Sequence, residues 1–229
     1  MDGYSVGEVA AWGVAGAIEP AATLDVVAGR ADAMDGASSP GDGMLFVRGL
    51  RRTVVDELCL RHGAGIAIVE PGGAFIVGGD RAGLDAIARE ARALHAARIV
   101  DVAVNVASHT SRLAPAATIF REQLRKVAAT PPSPGTRLLS GIDGTSVVDA
   151  ETGLDKLASQ ISHTVQWAAC LESCVEGGTT AFLELGPGRA LAEMAGNAYS
   201  GIEARSVEDF RTLDGISAWA ERVGGTRTG

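Results

Sequence analysis

The chain has 229 residues, of which 46% are hydrophobic and 21% charged, with a formal net charge of −8. This composition is typical of a globular protein with one large domain or two small ones, and the acidic balance argues against nucleic-acid binding. Neither a membrane-spanning run nor a signal peptide is visible, so we expect a cytoplasmic protein without membrane contact. The three cysteines form no pair of CxxC motifs, which predicts buried thiols and no metal site.

Helices are predicted at the start of the chain, over residues 8–17 and 21–34. Residues 35–43 are turn-forming and mark a predicted domain boundary. Short apolar runs and amphipathic stretches then alternate: strands at 44–47, 66–69, 74–77 and 99–104, and helices at 51–61 and 81–95. The order βαββαβ predicts a ferredoxin-like subdomain, to which we assign residues 41–104.

Longer α/β units are predicted after residue 104. Helices are expected at 112–128, 153–162, 165–175 and 190–195, and strands at 137–140 and 180–185. Residues 1–40 and 105–229 therefore form a large α/β domain in this prediction, interrupted by the small inserted subdomain.

The motif with the clearest chemistry is Gly3-Tyr4-Ser5-Val6-Gly7, which fits the G-x-S-x-G pattern of a nucleophile elbow. In such an elbow a strand turns sharply into a helix and exposes the serine hydroxyl. The N–H of the next residue, Val6, can then face a developing oxyanion. The pentapeptide alone is a weak signal, because three fixed positions occur by chance in a glycine-rich chain. The expected helix follows at once, but only Met1 and Asp2 stand where the strand is expected.

A serine nucleophile needs a general base, and four histidines are candidates. His62 and His95 lie at the ends of predicted helices and His163 lies between helices, positions typical of polar capping residues. His109 differs because it directly follows a predicted strand, where the small subdomain rejoins the large domain. Catalytic groups are common on such loops, so His109 is the candidate base for Ser5.

Five ordered motifs resemble those of the malonyl-CoA:acyl-carrier-protein transacylases and polyketide acyltransferase domains. They are GYSVGE at the family's elbow, RADAM at its arginine helix, VASH at its histidine loop, TVQW at its xVQW segment and LELGPG at its exGPG turn. The inserted subdomain also falls between the arginine and the histidine, as in that family. The resemblance implies the acyltransferase fold, an α/β-hydrolase-like parallel-sheet domain with a ferredoxin-like insertion.

This resemblance implies transfer of a malonyl group from malonyl-CoA to the thiol of an acyl carrier protein, through a malonyl-serine intermediate. Ser5 is then the nucleophile and His109 the base, with Val6 as an oxyanion donor. Arg30 would bind the free malonyl carboxylate bidentately, and a backbone carbonyl assigned to Gln166 would orient the histidine. Malonyl-CoA enters as a substrate, and no permanently bound cofactor or metal is implied.

Within the family, the run GYSVGEVAAWGVAGAI is most similar to the epsilon subunits of malonate decarboxylases, which carry Tyr in place of the elbow histidine. That similarity implies a role in malonate decarboxylase, with its carrier protein and other subunits as partners. A fatty-acid or polyketide malonyltransferase is the alternative.

The chain departs from the family before the elbow, where the family has a first strand and a Gly-Gln-Gly loop that supplies the second oxyanion contact. Of the three glutamines in this sequence, Gln123, Gln160 and Gln166, none lies between glycines. Loss of one oxyanion donor costs about 10²–10³ in rate, and loss of central strands exposes unpaired sheet edges. We therefore expect a truncated reading frame, a fragment, or a chain completed by another polypeptide.

Two further interpretations stay open. A serine hydrolase, in which water replaces the carrier thiol, lacks the order Ser…Asp…His and would leave Arg30 without a role. A non-catalytic remnant that binds a carrier protein fits the missing loop, but not the retained Ser5, His109 and Arg30. Basic residues could meet an acidic carrier, although solvated helix faces explain them equally well: Arg48, Arg51, Arg52, Arg121, Arg125 and Lys126.

Overall fold

The computed structural model describes residues 1–224 of the chain. The chain divides into two compact units, one from Met1 to Cys170 and one that begins at Leu171. No helix within residues 1–224 has the length and apolar character needed to cross a membrane.

Two helices open the first unit, α1 (Val6–Val14) and α2 (Pro20–Ala37). Both are predicted from the sequence, with ends that differ by a few residues. Pro20 stands at the first position of α2, where a missing N–H costs nothing, and the Glu19 side chain caps this end by accepting from Ala22 N at 3.0 Å. The apolar residues of α1 join one buried core with those of α2 and of the later helices of the unit.

A four-stranded antiparallel sheet with two helices follows: β1 (Asp42–Arg48), α3 (Arg52–Arg61), β2 (Gly65–Glu70), β3 (Ala74–Asp80), α4 (Arg81–Ala93) and β4 (Arg98–Val102). The strand order is β2-β3-β1-β4. The element order βαββαβ is the predicted one and is of the ferredoxin-like type. The boundary between the compact units does not separate these elements from the rest of the first unit, so the domain bounds at 41 and 104 stay a prediction.

The ferredoxin-like part has its own apolar core between the sheet and its two helices. On β1, Leu45 and Val47 are buried two residues apart, because alternate side chains of a strand share a face. Leu58 of α3 and Ile87 of α4 pack into the same cluster. The amphipathic periodicity read from the sequence is therefore the pattern that buries this core.

The edge strand β2 pairs with a segment far along the chain. Val69 N donates to Val165 O and Val165 N donates to Ala67 O, both at 2.9 Å. The Thr164 hydroxyl also donates to Ile66 O at 2.6 Å. These bonds cover one edge of the sheet and attach the ferredoxin-like part to the TVQW segment.

Two helices follow in the first unit, α5 (Ala114–Leu124) and α6 (Ala150–Gln160). The boundary between the units falls within the next helix, α7 (Trp167–Glu176). The strand predicted at 137–140 is wrong, since this run makes only an isolated bridge between Leu139 and Ser146. Leu138 and Leu139 are buried in the core, which explains their strand-like apolar character. The chain turns back at Gly144, which has φ +70°, too soon to extend a ladder.

The second unit contains β5 (Ala181–Glu184), α8 (Ala190–Ala198), β6 (Glu203–Ser206) and α9 (Leu213–Gly224). The strands β5 and β6 pair in parallel, and the Ser206 hydroxyl donates to Gly188 O at 2.6 Å, which ties the GPG turn to β6. Both β5 and α8 are predicted from the sequence, whereas β6 and α9 are not. The family resemblance implies a parallel sheet, and within residues 1–224 the parallel strands are β5 and β6.

The buried face of α3 permits a matched test of the ferredoxin-like core. Leu58 is 2% exposed and Leu60, two residues later, is 86% exposed. We expect Leu58→Ala to lower the free energy of unfolding by about 2–5 kcal/mol because it leaves a cavity. Leu60→Ala should change it by less than about 0.5 kcal/mol. Denaturant unfolding followed by circular dichroism measures both, and equal losses would contradict this packing.

Candidate active site

The turn that carries Ser5 has the backbone conformation of a nucleophile elbow. Ser5 has φ +55° and ψ −114° and stands directly before α1. A non-glycine residue at positive φ is strained, and here Gly7 N to Tyr4 O (2.9 Å) and Glu8 N to Ser5 O (3.1 Å) hold the turn. A Cβ on Gly3 would lie 2.0 Å from the carbonyl carbon of Gly7, so only glycine fits there.

The Ser5 hydroxyl lies beside His109. Their Oγ and Nε2 atoms are 2.8 Å apart, and His109 Nδ1 is 2.6 Å from the backbone oxygen of Gln160. Because a carbonyl oxygen only accepts, Nδ1 carries the proton and Nε2 accepts from Ser5. His109 N also donates to Ile161 O at 2.9 Å, which fixes the backbone of the loop.

The histidine is almost fully buried, and this burial lowers the pKa of His109 to about 4. The hydrogen bond to Gln160 O acts in the opposite direction, whereas the nearby Arg30 charge lowers the pKa further. The imidazole is therefore neutral at physiological pH, as a general base must be.

Gln166, predicted to orient the histidine, is not the acceptor. Its own N–H donates to Gly141 O at 2.7 Å, and its carbonyl accepts from Cys170 N at 3.0 Å. The carbonyl at His109 belongs to Gln160, the last residue of α6. Carbonyls of the final helical turn have no partner within the helix, so this one is free to accept from the imidazole. The predicted helix end near this residue is the signal that could have identified Gln160.

Arg30 comes from α2 and reaches the same serine. Its side chain is buried, with Nη2 3.2 Å from Ser5 Oγ and 3.3 Å from Gln160 Oε1. Burial lowers the pKa of Arg30 to about 10, although the nearby Glu8 carboxylate opposes this change. The group thus stays charged at neutral pH, and Arg30 Nε has no hydrogen-bond partner among residues 1–224. A buried guanidinium with a free N–H beside a serine hydroxyl is suited to bind a carboxylate.

A carboxylate that the sequence analysis did not single out lies behind these groups. Glu8 is completely buried, and its Oε2 accepts from Gly141 N at 3.0 Å and from the Gln160 side-chain amide. Burial raises the pKa of Glu8 to about 7. The feature of the sequence that could have identified Glu8 is its position as an acidic residue among the apolar residues of α1.

Tyr4 joins the elbow to the ferredoxin-like part. Its hydroxyl donates to Glu70 Oε1 at 2.7 Å, and its ring meets the Trp167 ring edge to face at 5.3 Å. Val6, the predicted oxyanion donor, is the first residue of α1 and is 44% exposed. Its N–H stands at a helix N-terminus, where developing negative charge is stabilised.

A metal ion has no evident ligand set in the described part of the chain. Residues 1–224 contain no group of three or more His, Cys, Asp or Glu side chains that could hold one. The three cysteines are buried. At Ser5, His109 is placed for proton transfer and Arg30 for carboxylate binding.

The sequence also matches a known protein family. Residues 1–212 match the family model described as an acyl transferase domain. The chain belongs to this family. The malonyl CoA-acyl carrier protein transacylase of Mycobacterium tuberculosis H37Rv is 31% identical to it over 217 residues, which cover 94% of this acyl transferase chain and 70% of that relative.

Solved structures of acyl transferases superpose closely. The acyl-carrier-protein S-malonyltransferase of Burkholderia pseudomallei 1710b has a TM-score of 0.87 at 29% identity, over 94% of this chain and 71% of that one. A malonyl-transacylase solved in complex with its type II PKS acyl-carrier protein has a TM-score of 0.88 at 26% identity, over 95% and 71%. The fold is therefore the acyltransferase fold that the sequence predicts.

The two elbow glycines provide a matched pair of variants. We expect Gly3→Ala to lower the free energy of unfolding by about 2 kcal/mol or more, because the new Cβ overlaps the backbone of α1. Gly7→Ala meets nothing within 4 Å, and it should be neutral or stabilising by up to about 1 kcal/mol because alanine favours helix. Denaturant unfolding measures both variants, and the reverse order would contradict the elbow geometry.

The buried state of His109 predicts the pH dependence of Ser5 reactivity. Labelling of Ser5 by a sulfonyl fluoride should be constant near neutral pH and fall with a midpoint near pH 4, where the imidazole gains a proton and stops acting as a base. The rate of mass increase at several pH values measures this. His109→Ala should remove the labelling, and the exposed His163→Ala should not. A midpoint at the ordinary histidine pKa would contradict the prediction.

Proposed function

We propose that this chain transfers a malonyl group from malonyl-CoA to the thiol of an acyl carrier protein. The observation that carries the proposal is the convergence of two groups on one oxygen atom, Ser5 Oγ. His109 Nε2 lies 2.8 Å from it and Arg30 Nη2 lies 3.2 Å from it. A nucleophile, its base and a cation for a second carboxylate are what malonyl transfer through serine needs. Membership of the acyl transferase family supports the same chemistry.

In the first half of the proposed reaction, His109 accepts the Ser5 proton as Oγ attacks the thioester carbonyl of malonyl-CoA. The tetrahedral intermediate collapses, the carbon–sulfur bond breaks, and coenzyme A leaves with the proton from His109. Gln160 O accepts from Nδ1–H throughout, so it stabilises the imidazolium without an aspartate. The N–H of Val6 is the proposed oxyanion donor.

In the second half, the carrier thiol gives its proton to His109 and attacks the malonyl ester of Ser5. The ester bond to Oγ breaks, the malonyl group moves to the carrier sulfur, and Ser5 recovers its proton from the imidazole. The enzyme returns to its starting state, so one histidine serves as base and acid in each half.

Arg30 gives the proposed reaction its preference for a dicarboxylate. A malonyl ester of Ser5 carries its free carboxylate a few bonds from Oγ, within reach of a guanidinium that already touches this atom. An acetyl group has no charge to offer and leaves the buried guanidinium without an anion. The same contact disfavours a plain serine hydrolase, in which a buried arginine at the nucleophile would have no role.

The relatives favour one of the two biological settings that the sequence leaves open. The curated relative named above is a malonyl CoA-acyl carrier protein transacylase, and one solved relative is bound to a type II PKS acyl-carrier protein. We therefore propose a carrier protein of fatty-acid or polyketide synthesis as the partner, in preference to the carrier of malonate decarboxylase suggested by Tyr4.

The acyl-enzyme is the direct test. Intact mass spectrometry after brief incubation with malonyl-CoA should show a malonyl-sized increment on the parent chain and none on Ser5→Ala. Later addition of an acyl carrier protein that bears its thiol should remove the increment and malonylate the carrier. A chain that is folded by circular dichroism but gains no adduct would contradict the proposal. Loss of the adduct to water at an equal rate without carrier would favour the hydrolase.

The role of Arg30 predicts a change of selectivity. In Arg30→Ala, the rate of Ser5 malonylation should fall about 10²–10³-fold, because a buried charge pair is lost. Acetylation by acetyl-CoA should fall much less, so the malonyl/acetyl ratio collapses. Asp32→Ala on the exposed face of the same helix is the control and should keep the parent ratio. An unchanged ratio in Arg30→Ala would rule out carboxylate recognition by this residue.

A further inference from the structure

The buried carboxyl group of Glu8 has no role in the steps above. It lies on α1, three residues after the nucleophile, and is 0% exposed. Its Oε2 accepts from the backbone N–H of Gly141 and from the Gln160 amide, whereas Oε1 has no hydrogen-bond partner among residues 1–224. An acidic group with half of its hydrogen-bonding capacity unused is costly to bury as an anion.

Gln160 connects this carboxyl group to the reacting groups. Its side-chain nitrogen donates to Glu8, its side-chain oxygen accepts from Arg30, and its backbone oxygen accepts from His109. A single amide thus lies between the Glu8 carboxylate and the Arg30 guanidinium. In the substrate-free site these are the opposite charges of a separated buried pair.

The charge balance changes when a malonyl group binds. Arg30 then faces two carboxylates, one from the substrate and one from Glu8. The neutral imidazole of His109 supplies no positive charge, and Asp2, on the segment before the elbow, adds to the negative potential at Glu8. An uncompensated buried charge costs several kcal/mol, whereas an acid can avoid this cost by binding a proton.

We propose that Glu8 is the counter-charge of Arg30 in the empty site and binds one proton from solvent when a carboxylate-bearing acyl group occupies the arginine. The inference rests on the proposed malonyl transfer and adds a proton to its binding step. An acetyl group, which brings no charge, binds without this proton. Recognition of the dicarboxylate is thereby coupled to pH through a residue that does not touch the substrate.

The ionisation properties of the site place this coupling near neutral pH. The pKa of Glu8 is raised to about 7 by burial, whereas that of His109 is lowered to about 4 and that of Arg30 to about 10. Between pH 7 and 8 neither of the other two groups changes its charge appreciably. Above its pKa, Glu8 must gain a proton for malonyl-CoA to bind, so binding weakens as pH rises.

Calorimetry of the Ser5→Ala variant tests the proposal, because this variant binds thioesters without being acylated. Titration with malonyl-CoA at about pH 7.5, in two buffers with different ionisation enthalpies, gives the number of protons taken up per ligand. We expect uptake of most of one proton with malonyl-CoA and none with acetyl-CoA, which shares the coenzyme A moiety. The dissociation constant for malonyl-CoA should rise roughly fivefold from about pH 7 to about pH 8, and that for acetyl-CoA should stay constant.

Glu8→Gln in the Ser5→Ala background identifies the group that binds the proton. It keeps the size of the side chain and one accepting oxygen for Gly141 N and the Gln160 amide, and it should abolish proton uptake and the fivefold pH effect. Asp2→Asn in the same background is the control for the other nearby acid and should retain both. Equal uptake in Glu8→Gln, or loss of uptake only in Asp2→Asn, would overturn the assignment to Glu8.

The remaining outcomes separate this inference from the proposed function. Malonyl-CoA that binds Ser5→Ala without proton uptake or pH dependence overturns the role of Glu8 and leaves malonyl transfer intact. Failure of malonyl-CoA to bind at all, together with absence of an adduct on the parent chain, overturns both. The pH series uses Glu8 in its native form, so absence of proton uptake or of pH dependence overturns the proposal even if Glu8→Gln does not fold.

Discussion

The hydrogen bonds of Gln160, at the end of α6, hold the site together. The helix end frees its backbone carbonyl, which accepts from His109 and thereby fixes which imidazole nitrogen faces Ser5. Its side chain lies between Arg30 and Glu8. Gln160 therefore fixes the tautomer of His109 through its backbone, because α6 ends there, and contacts the Arg30 guanidinium through its side chain.

Two strained residues face each other at the centre of this arrangement. Ser5 and His109 both have positive φ, at 55° and 60°. Such conformations cost about 1–3 kcal/mol each and persist only where surrounding contacts hold them. The bonds within the elbow, the His109 N–H bond to Ile161 O and the buried core beneath α1 supply those contacts. Strain, burial and hydrogen bonding together present one hydroxyl to one unprotonated imidazole.

Much of this was visible in the sequence, because elbow glycines, amphipathic periods and the βαββαβ order are local patterns. Ser5, His109 and Arg30 were predicted and do converge. The sequence analysis assigned the carbonyl that orients His109 to Gln166, whereas the structure shows Gln160. This hydrogen bond joins a loop to a helix end 51 residues away, and no local pattern encodes such a contact. Glu8 was missed for a similar reason: its partners come from distant segments, and a lone acid on a helix usually faces solvent.

The hydrogen bond from Tyr4 to Glu70 limits how freely the ferredoxin-like part of this chain can be exchanged for that of a relative. Tyr4 belongs to the nucleophile turn and Glu70 ends a strand of the ferredoxin-like sheet. If a residue that cannot accept a hydrogen bond replaced Glu70 at the strand end, the half-buried Tyr4 hydroxyl would lose its acceptor. Tyr4 and Glu70 therefore have to be exchanged together in a chimera between this chain and a relative.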